Sequence, residues 1–307
     1  MALQTAKIFW RSLLLSAILV VLASSVAIAA EPKLIHERLS KYSKILVVDD
    51  DRGLRTLYFD DLSTRQSVIK IGDPEHLEMA YSRTMLVGLA VHDKPQRVLV
   101  VGLGGGTIPT WLHRHFPKTL IDVVEIDPEV VDVAKNFFGF RPDEKLKAHV
   151  QDGRKFIEQT RDPYDVIFLD AFSADSIPYH LATQEFLKAV RKAIKPDGLV
   201  VSNVWSRQSN KLYDSMVKTY QSVFNEVYVV NVPDSGNRIL LSLRTSKNLS
   251  RQFLADHSHR LFTDQKLTFD FDRLVEQGYE DKLELDSGAI LLKDHSPDKP
   301  PYSEDGS

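Results

Sequence analysis

Cysteine is absent from all 307 residues of the chain. That excludes thiol nucleophiles, disulfides and cysteine-ligated metal, and it is compatible with an oxidising compartment without requiring one. An excess of positive charge is missing too. The 39 Lys and Arg residues stand against 42 Asp and Glu, a net charge of −3. With no basic stripe, nothing marks a nucleic-acid partner. No serine sits in a nucleophile-elbow motif, no metal site is evident, and no internal repeat is visible. What remains is an ordinary globular composition, 43% hydrophobic and 26% charged, long enough for one main domain and a smaller addition.

One long uncharged run breaks that pattern. Lys7 and Arg11 precede "SLLLSAILVVLASSVAIAA" from Ser12 to Ala30, and Ala27-Ile28-Ala29 is a small-x-small cleavage signature. Residues 1–30 are expected to be a cleaved signal peptide or, uncleaved, a membrane anchor of nearly spanning length. Either way the folded part is expected outside the cytoplasm, periplasmic or extracellular, with membrane contact only through this segment.

Residues 31–75 alternate apolar and polar positions in "KILVVDD", "LRTLYFD" and "QSVIKIG" and predict a small antiparallel β unit. A helix is expected over 75–92. Residues 76–245 alternate strand-like and helical runs. Strands are expected at 98–101, 120–125, 147–151, 164–169, 198–204, 225–232 and 238–243, and helices from Thr107, Pro128, Gly153, Thr183 and Ser209. This pattern predicts an α/β, doubly wound, mostly parallel sheet whose last two strands pair antiparallel. One or two helices are expected over 246–290. The Pro-rich polar tail from 291 to 307 is expected to be disordered.

Such sheets bind ligands outside the carboxyl ends of their strands, and four strand ends carry polar groups. After Val98–Val101 come Gly102, Gly104, Gly105 and Gly106 and then a helix start, a turn that can approach a ligand closely. It is also what any tight strand-to-helix turn looks like. Glu125, at the end of the next strand, is spaced to hold the hydroxyls of a ribose. Asp152, in "QDG" with Gly153, can accept a hydrogen bond from an adenine amino group or cap a helix; the two roles are compatible. Asp170 directly follows the apolar "VIFL", where a carboxylate faces a cleft or forms a turn. His113 and His115 are expected to face solvent, and His257 and His259 have no carboxylate at useful spacing. Trp205 and Tyr179 either border the cleft or pack.

In their order and spacing, "ERLSKY", Gln66-Ser67, Tyr81, the glycine turn, "VEID", "DG", "YDVIFLDAFS" and "HLATQEF" resemble the spermidine synthase (polyamine aminopropyltransferase) family over about residues 34–245. In detail the chain is similar to the spermidine synthase-like domains fused to membrane transporters. The resemblance implies a Rossmann-like methyltransferase fold. It implies decarboxylated S-adenosylmethionine as co-substrate, a small-molecule amine as acceptor, and no metal; a homo-oligomer is a further expectation. By the same resemblance Gly102, Gly104, Gly105, Glu125, Asp152 and Gly153 hold the sulfonium nucleoside. Asp170 and Tyr81 serve the reacting centre, and Gln66 and Asp175 the amine.

The departures fall mainly in the amine half. The glycine turn lacks the family's Asp, Ser82-Arg83 stands for a His-Glu pair, Ser173 for the loop's second Asp, and Ser43 for a Gln. Two alternatives therefore accompany aminopropyl transfer. One is a methyltransferase using S-adenosylmethionine, favoured by the lost acid and by Arg83. The other is an exported, non-catalytic nucleoside-binding protein.

Overall fold

The alternating stretch folds as four strands, β1 (Lys33–Leu39), β2 (Lys44–Asp49), β3 (Leu54–Phe59) and β4 (Arg65–Lys70), paired antiparallel in that order. Aspartates close its turns: Asp50 accepts from the amides of Arg52 and Leu54 at 3.0 and 2.9 Å, as short polar side chains do in turns. The computed structural model describes residues 31–171, 178–265, 269, 271–280 and 282–295, so the apolar run of 12–30 lies outside them.

The helix expected over 75–92 is shorter, α1 (Ala80–Met85) continuing as a 3₁₀ turn, Leu86–Ala90. Asp73-Pro74 opens a turn instead: the Asp73 side chain accepts from the Glu75 amide at 3.2 Å and its carbonyl from that of His76 at 3.3 Å.

The main sheet then alternates with helices: β5 (Arg97–Val101), α2 (Thr107–His115), β6 (Leu120–Glu125), α3 (Pro128–Phe137), β7 (Leu146–Val150), α4 (Gly153–Gln159), β8 (Tyr164–Leu169), α5 (Gln184–Ala193), β9 (Ile194–Trp205), α6 (Tyr213–Gln221), β10 (Glu226–Asn231) and β11 (Asn237–Leu243). Its order is β10-β11-β9-β8-β5-β6-β7, with β5 to β9 parallel and β11 antiparallel to both neighbours. Strand β9 starts earlier than expected, Ile194 already pairing with Tyr164. Helix α6 starts later than Ser209 because the Ser206 carbonyl takes the amides of Ser209 and Asn210 in a turn.

From β5 the chain winds outward through β6 and β7, then crosses to β8 on the other side. The reversal opens a crevice at the carboxyl ends of β5 and β8, where such sheets receive ligands. Both faces are covered at the centre of the sheet, so the strands there are buried along their length: all six residues of β8 are buried. One core joins Trp111, Val123, Phe140 and Phe168; the other joins Ile157, Phe186, Val190 and Tyr220. The small sheet buries Ile45, Val47 and Leu57 against Val130 and Val133 of α3.

Two helices follow, α7 (Arg251–Gln265) and α8 (Phe271–Gly278). Contrary to the expected disorder from 291, the first residues of that tail return to the domain. Leu292 is buried, its carbonyl accepting from the Gln184 amide at 2.8 Å. Among the described residues no helix is long and apolar enough to cross a membrane.

Candidate active site

Strand β5 delivers the chain into the crevice at Gly102. Its φ is +93°, and a Cβ there would lie 2.3 Å from the Asp170 carbonyl oxygen. Only glycine satisfies both conditions, a left-handed backbone and direct packing on a neighbouring main chain. The turn is then pinned from two sides. The Leu103 amide donates to Glu125 Oε2 at 2.9 Å, and the buried Gly105 amide donates to Ser67 Oγ of β4 at 2.8 Å. The small sheet thus supplies an acceptor to the glycine turn of the large one.

A cleft of about 1200 Å³, its solvent-open mouth included, runs over this turn. Gln66, Tyr81, Gly102, Gly104, Glu125, Asp152, Gly153 and Asp170 all line it. Of the described residues expected at the site, Gly105 alone stands apart; its amide serves Ser67, and a Cβ there would meet the Phe138 ring at 2.8 Å. Asp175, like Ser173, lies outside the described residues.

In one half of the cleft the carboxylates come from consecutive strand ends. Glu125 Oε1 accepts from the Asp127 amide at 3.0 Å, so both of its oxygens hold backbone. A carboxylate has about four acceptor positions, which leaves capacity for a ligand's hydroxyls. Burial raises the Glu125 pKa and the nearby Asp127 charge adds to this, against the amides of Asp127 and Leu103. Asp152 does cap α4, accepting from the Lys155 amide at 2.8 Å, while its side chain still faces the cleft. His180 Nε2 lies 3.1 Å from Asp152 Oδ2 and, with the capping amide, holds this carboxyl below the usual aspartate range. Gly153 lets α4 close on the sheet, since a Cβ would fall 2.5 Å from Val101 Cγ1.

In the other half Asp170 follows β8. Burial pushes its pKa up to about 7, against the hydrogen bond from Asn203 that favours the charged form. Asn203 Nδ2 donates to Asp170 Oδ1 at 2.9 Å, and its own carbonyl accepts from Asn237 Nδ2 at 2.9 Å. The Tyr81 hydroxyl donates to the Gln66 carbonyl at 3.2 Å; burial and the Asp170 charge keep it protonated, its pKa well above the ordinary value. A carboxyl of this kind, open to a cleft, can take up or release a proton near neutral pH.

Asn203, Asn237 and His180 are cleft residues that sequence reasoning did not single out. Asn203 carried a usable signal: with Ser202 it interrupts the buried apolar run of β9. Ser67 was noted only as part of a motif. Arg83 is not a cleft residue; its guanidinium donates to the carbonyls of Leu77 and Glu78. The arginine that does line the cleft is Arg65 on β4, 3.9 Å from Glu78. Trp205 also lines it, whereas the Tyr179 hydroxyl donates to the Lys293 carbonyl. His113 and His115 pair with Asp143 and Glu75, and His115 stacks on Trp111 at 4.1 Å. His259 does find a carboxylate, Asp272 at 3.0 Å, because α8 folds back on α7.

Comparison with known proteins agrees with this geometry. A family model described as the spermine/spermidine synthase domain matches residues 78–267. A polyamine aminopropyltransferase of Vibrio vulnificus is 38% identical over 76% of this chain and 79% of its own. The human eEF1A lysine and N-terminal methyltransferase is 35% identical over 55% of this chain, which spans only 27% of its length. Among solved structures, a probable spermidine synthase from Corynebacterium glutamicum superposes with a TM-score of 0.67 at 22% identity, covering 87% of this chain and 99% of that one. Human methyltransferase-like protein 13, in complex with SAH, gives 0.55 at 28% identity, over 69% and 98%. A mostly parallel sheet with a small antiparallel one before it, a cleft at its switch point and these matches lead to one conclusion: the chain belongs to the spermine/spermidine synthase family and is a transferase enzyme.

Proposed function

We propose that the enzyme moves an aminopropyl group from decarboxylated S-adenosylmethionine to a primary amine such as putrescine. The observation that carries this reading is Asp170, which Asn203 holds at 2.9 Å and which shares one cleft with Glu125 and Asp152. In this account Glu125 holds the ribose hydroxyls and Asp152 the adenine amino group, with the glycine turn beneath the sulfonium arm.

The donor supplies a carbon activated by a positively charged sulfur. The amine nitrogen forms a bond to that carbon, the carbon–sulfur bond breaks, and its electron pair returns to sulfur, releasing neutral methylthioadenosine. An alkylammonium with a pKa near ~10.4 must first lose a proton. Asp170, ionised, accepts that proton, while Tyr81 and Gln66 fix the amine's approach. Asn203 keeps Asp170 oriented and partly charged. Holding donor and acceptor in line across one cleft supplies much of the rate.

Methyl transfer from S-adenosylmethionine is the second reading. Arg65 favours it, because a guanidinium on the cleft wall attracts a donor's carboxylate; Glu78 at 3.9 Å partly offsets that charge. Calorimetric titration with methylthioadenosine, S-adenosylmethionine and its decarboxylated form separates the two. Aminopropyl transfer requires the decarboxylated nucleoside to bind more tightly than the carboxylated one; the reverse order selects methyl transfer.

We also infer that residues 1–30 direct the chain out of the cytoplasm, from Lys7, Arg11 and the apolar run. Protease accessibility of the C-terminus in intact cells with a permeabilised outer layer tests this. A protected C-terminus contradicts export.

A further inference from the structure

The segment after α8 does more than trail from the domain. Its main chain is laced to α6 and the turn before α5. Lys218 Nζ donates to the Ala289 carbonyl at 2.7 Å, the Ile290 amide to Ser215 Oγ at 3.1 Å, and the Leu292 amide to Thr219 Oγ1 at 3.0 Å. The lacing ends at Asp294, whose two oxygens take the two terminal guanidinium nitrogens of Arg154, Nη1 and Nη2, at 2.8 and 2.7 Å, while Nε donates to Glu158 at 2.8 Å; Thr183 Oγ1 adds a third bond to Asp294 at 2.8 Å. A forked pair of this kind fixes direction as well as distance.

Arg154 stands two residues after Asp152, in the first turn of α4. From there Nη1 also reaches the His180 carbonyl at 3.3 Å. One residue earlier, the Tyr179 hydroxyl grips the Lys293 carbonyl at 3.1 Å. The short turn Tyr179–Leu181 is therefore held from behind by the C-terminal segment, while the His180 ring is held in front by Asp152 at 3.1 Å. Asp294 touches no part of the cleft; it reaches Asp152 through Arg154 and His180.

We propose that the C-terminal segment is a working part of the nucleoside site, with Asp294 the positioning residue that, through Arg154, sets His180 against Asp152 and so shapes the wall that selects adenine. The proposal rests on the reading of Asp152 as the adenine acceptor. Loosening Asp294 frees the 179–181 turn, lets His180 swing from Asp152, and turns a directed acceptor into an ordinary helix cap. The loss falls on recognition of the base, leaving Glu125 and the ribose contact intact.

The test compares wild type, Asp294→Ala, Arg154→Lys and Ser215→Ala in the full-length chain. The lysine keeps the charge and loses the fork; the serine variant loosens the lacing away from Arg154. Two probes are titrated, methylthioadenosine and methylthioinosine, which replaces the amino group with an oxygen. Asp294→Ala and Arg154→Lys should each weaken methylthioadenosine binding about tenfold and flatten the preference for adenine, whereas Ser215→Ala should lower Tm and leave the preference alone. Unchanged affinity and preference in folded Asp294→Ala overturn the proposal, as does an equal loss for both probes. If Asp294→Ala does not fold, Arg154→Lys decides by the same criteria. Should the wild type bind neither probe, the adenine reading fails. The positional link is then decided by the His180 imidazole resonances in ligand-free protein, which should move in Asp294→Ala as in Asp152→Asn and stay put in Ser215→Ala.

Discussion

Replacing Asp170 by Asn should make the protein more stable and much less active, and the gain should depend on pH. The folded aspartate has a pKa of about 7 because burial penalises its charge. In the unfolded chain it titrates near ~3.9. It therefore holds its proton longer folded than unfolded, so wild-type stability falls as pH rises from about 4 to about 7 and stays low above. About three pKa units at about 1.36 kcal/mol each give an upper limit near 4 kcal/mol at pH 8, and about 1 kcal/mol at pH 4.5. Asp170 lines an open cleft, so residual water reduces the gain; about 1–3 kcal/mol at pH 8 is expected. Asn is nearly isosteric and can keep the bond from Asn203 at 2.9 Å, so no cavity is opened, and its amide N–H groups face the cleft. Urea unfolding of both proteins at pH 4.5 and 8 measures the difference. Transfer should meanwhile drop by at least about 10²-fold, the lower end for a positioned general base. A variant that is no more stable at pH 8, or equally stabilised at both pH values, refutes the assignment of a strained, proton-holding carboxyl.

Glu125→Gln should weaken methylthioadenosine binding by about 1–3 kcal/mol, and calorimetry showing unchanged affinity in the folded variant removes the ribose assignment. Gly102→Ala places a Cβ 2.3 Å from the Asp170 carbonyl at a φ of +93°; it should cost more than about 1 kcal/mol and impair turnover of the surviving fold, so an active variant with wild-type Tm contradicts the packing described. Ser67→Ala leaves the buried Gly105 amide without its 2.8 Å acceptor and should destabilise by about 1–3 kcal/mol; thermal melts showing no loss would place that amide on another partner.

The succession of strands along the chain and the carboxylates at their ends were legible because they rest on local signals. Apolar runs of four residues such as Val98–Val101 and Val166–Leu169 lead into the glycine turn and Asp170, and parallel packing carries those ends to one rim. What was not legible depends on distant chain. Ser67 reaches Gly105 across 38 positions, and Asp294 reaches Arg154 across 140. Arg83 illustrates the opposite failure: its alignment with an acidic amine contact suggested a cleft cation, but its guanidinium turns to the carbonyls of Leu77 and Glu78. Asn203 fell between these cases. Its place in a buried strand was clear, but its partners, Asp170 and Asn237, come from β8 and β11.

The central claim, aminopropyl transfer at Asp170, is tested most directly by incubating wild type and Asp170→Asn with decarboxylated S-adenosylmethionine and a panel of amines that includes putrescine, following methylthioadenosine and the amine product by mass spectrometry. The account predicts equimolar methylthioadenosine and aminopropylated amine from wild type, rising with pH through about 7 as Asp170 ionises, and at most about 1% of that rate from the variant. Donor binding without methylthioadenosine release for any amine, or undiminished release by Asp170→Asn, would contradict it.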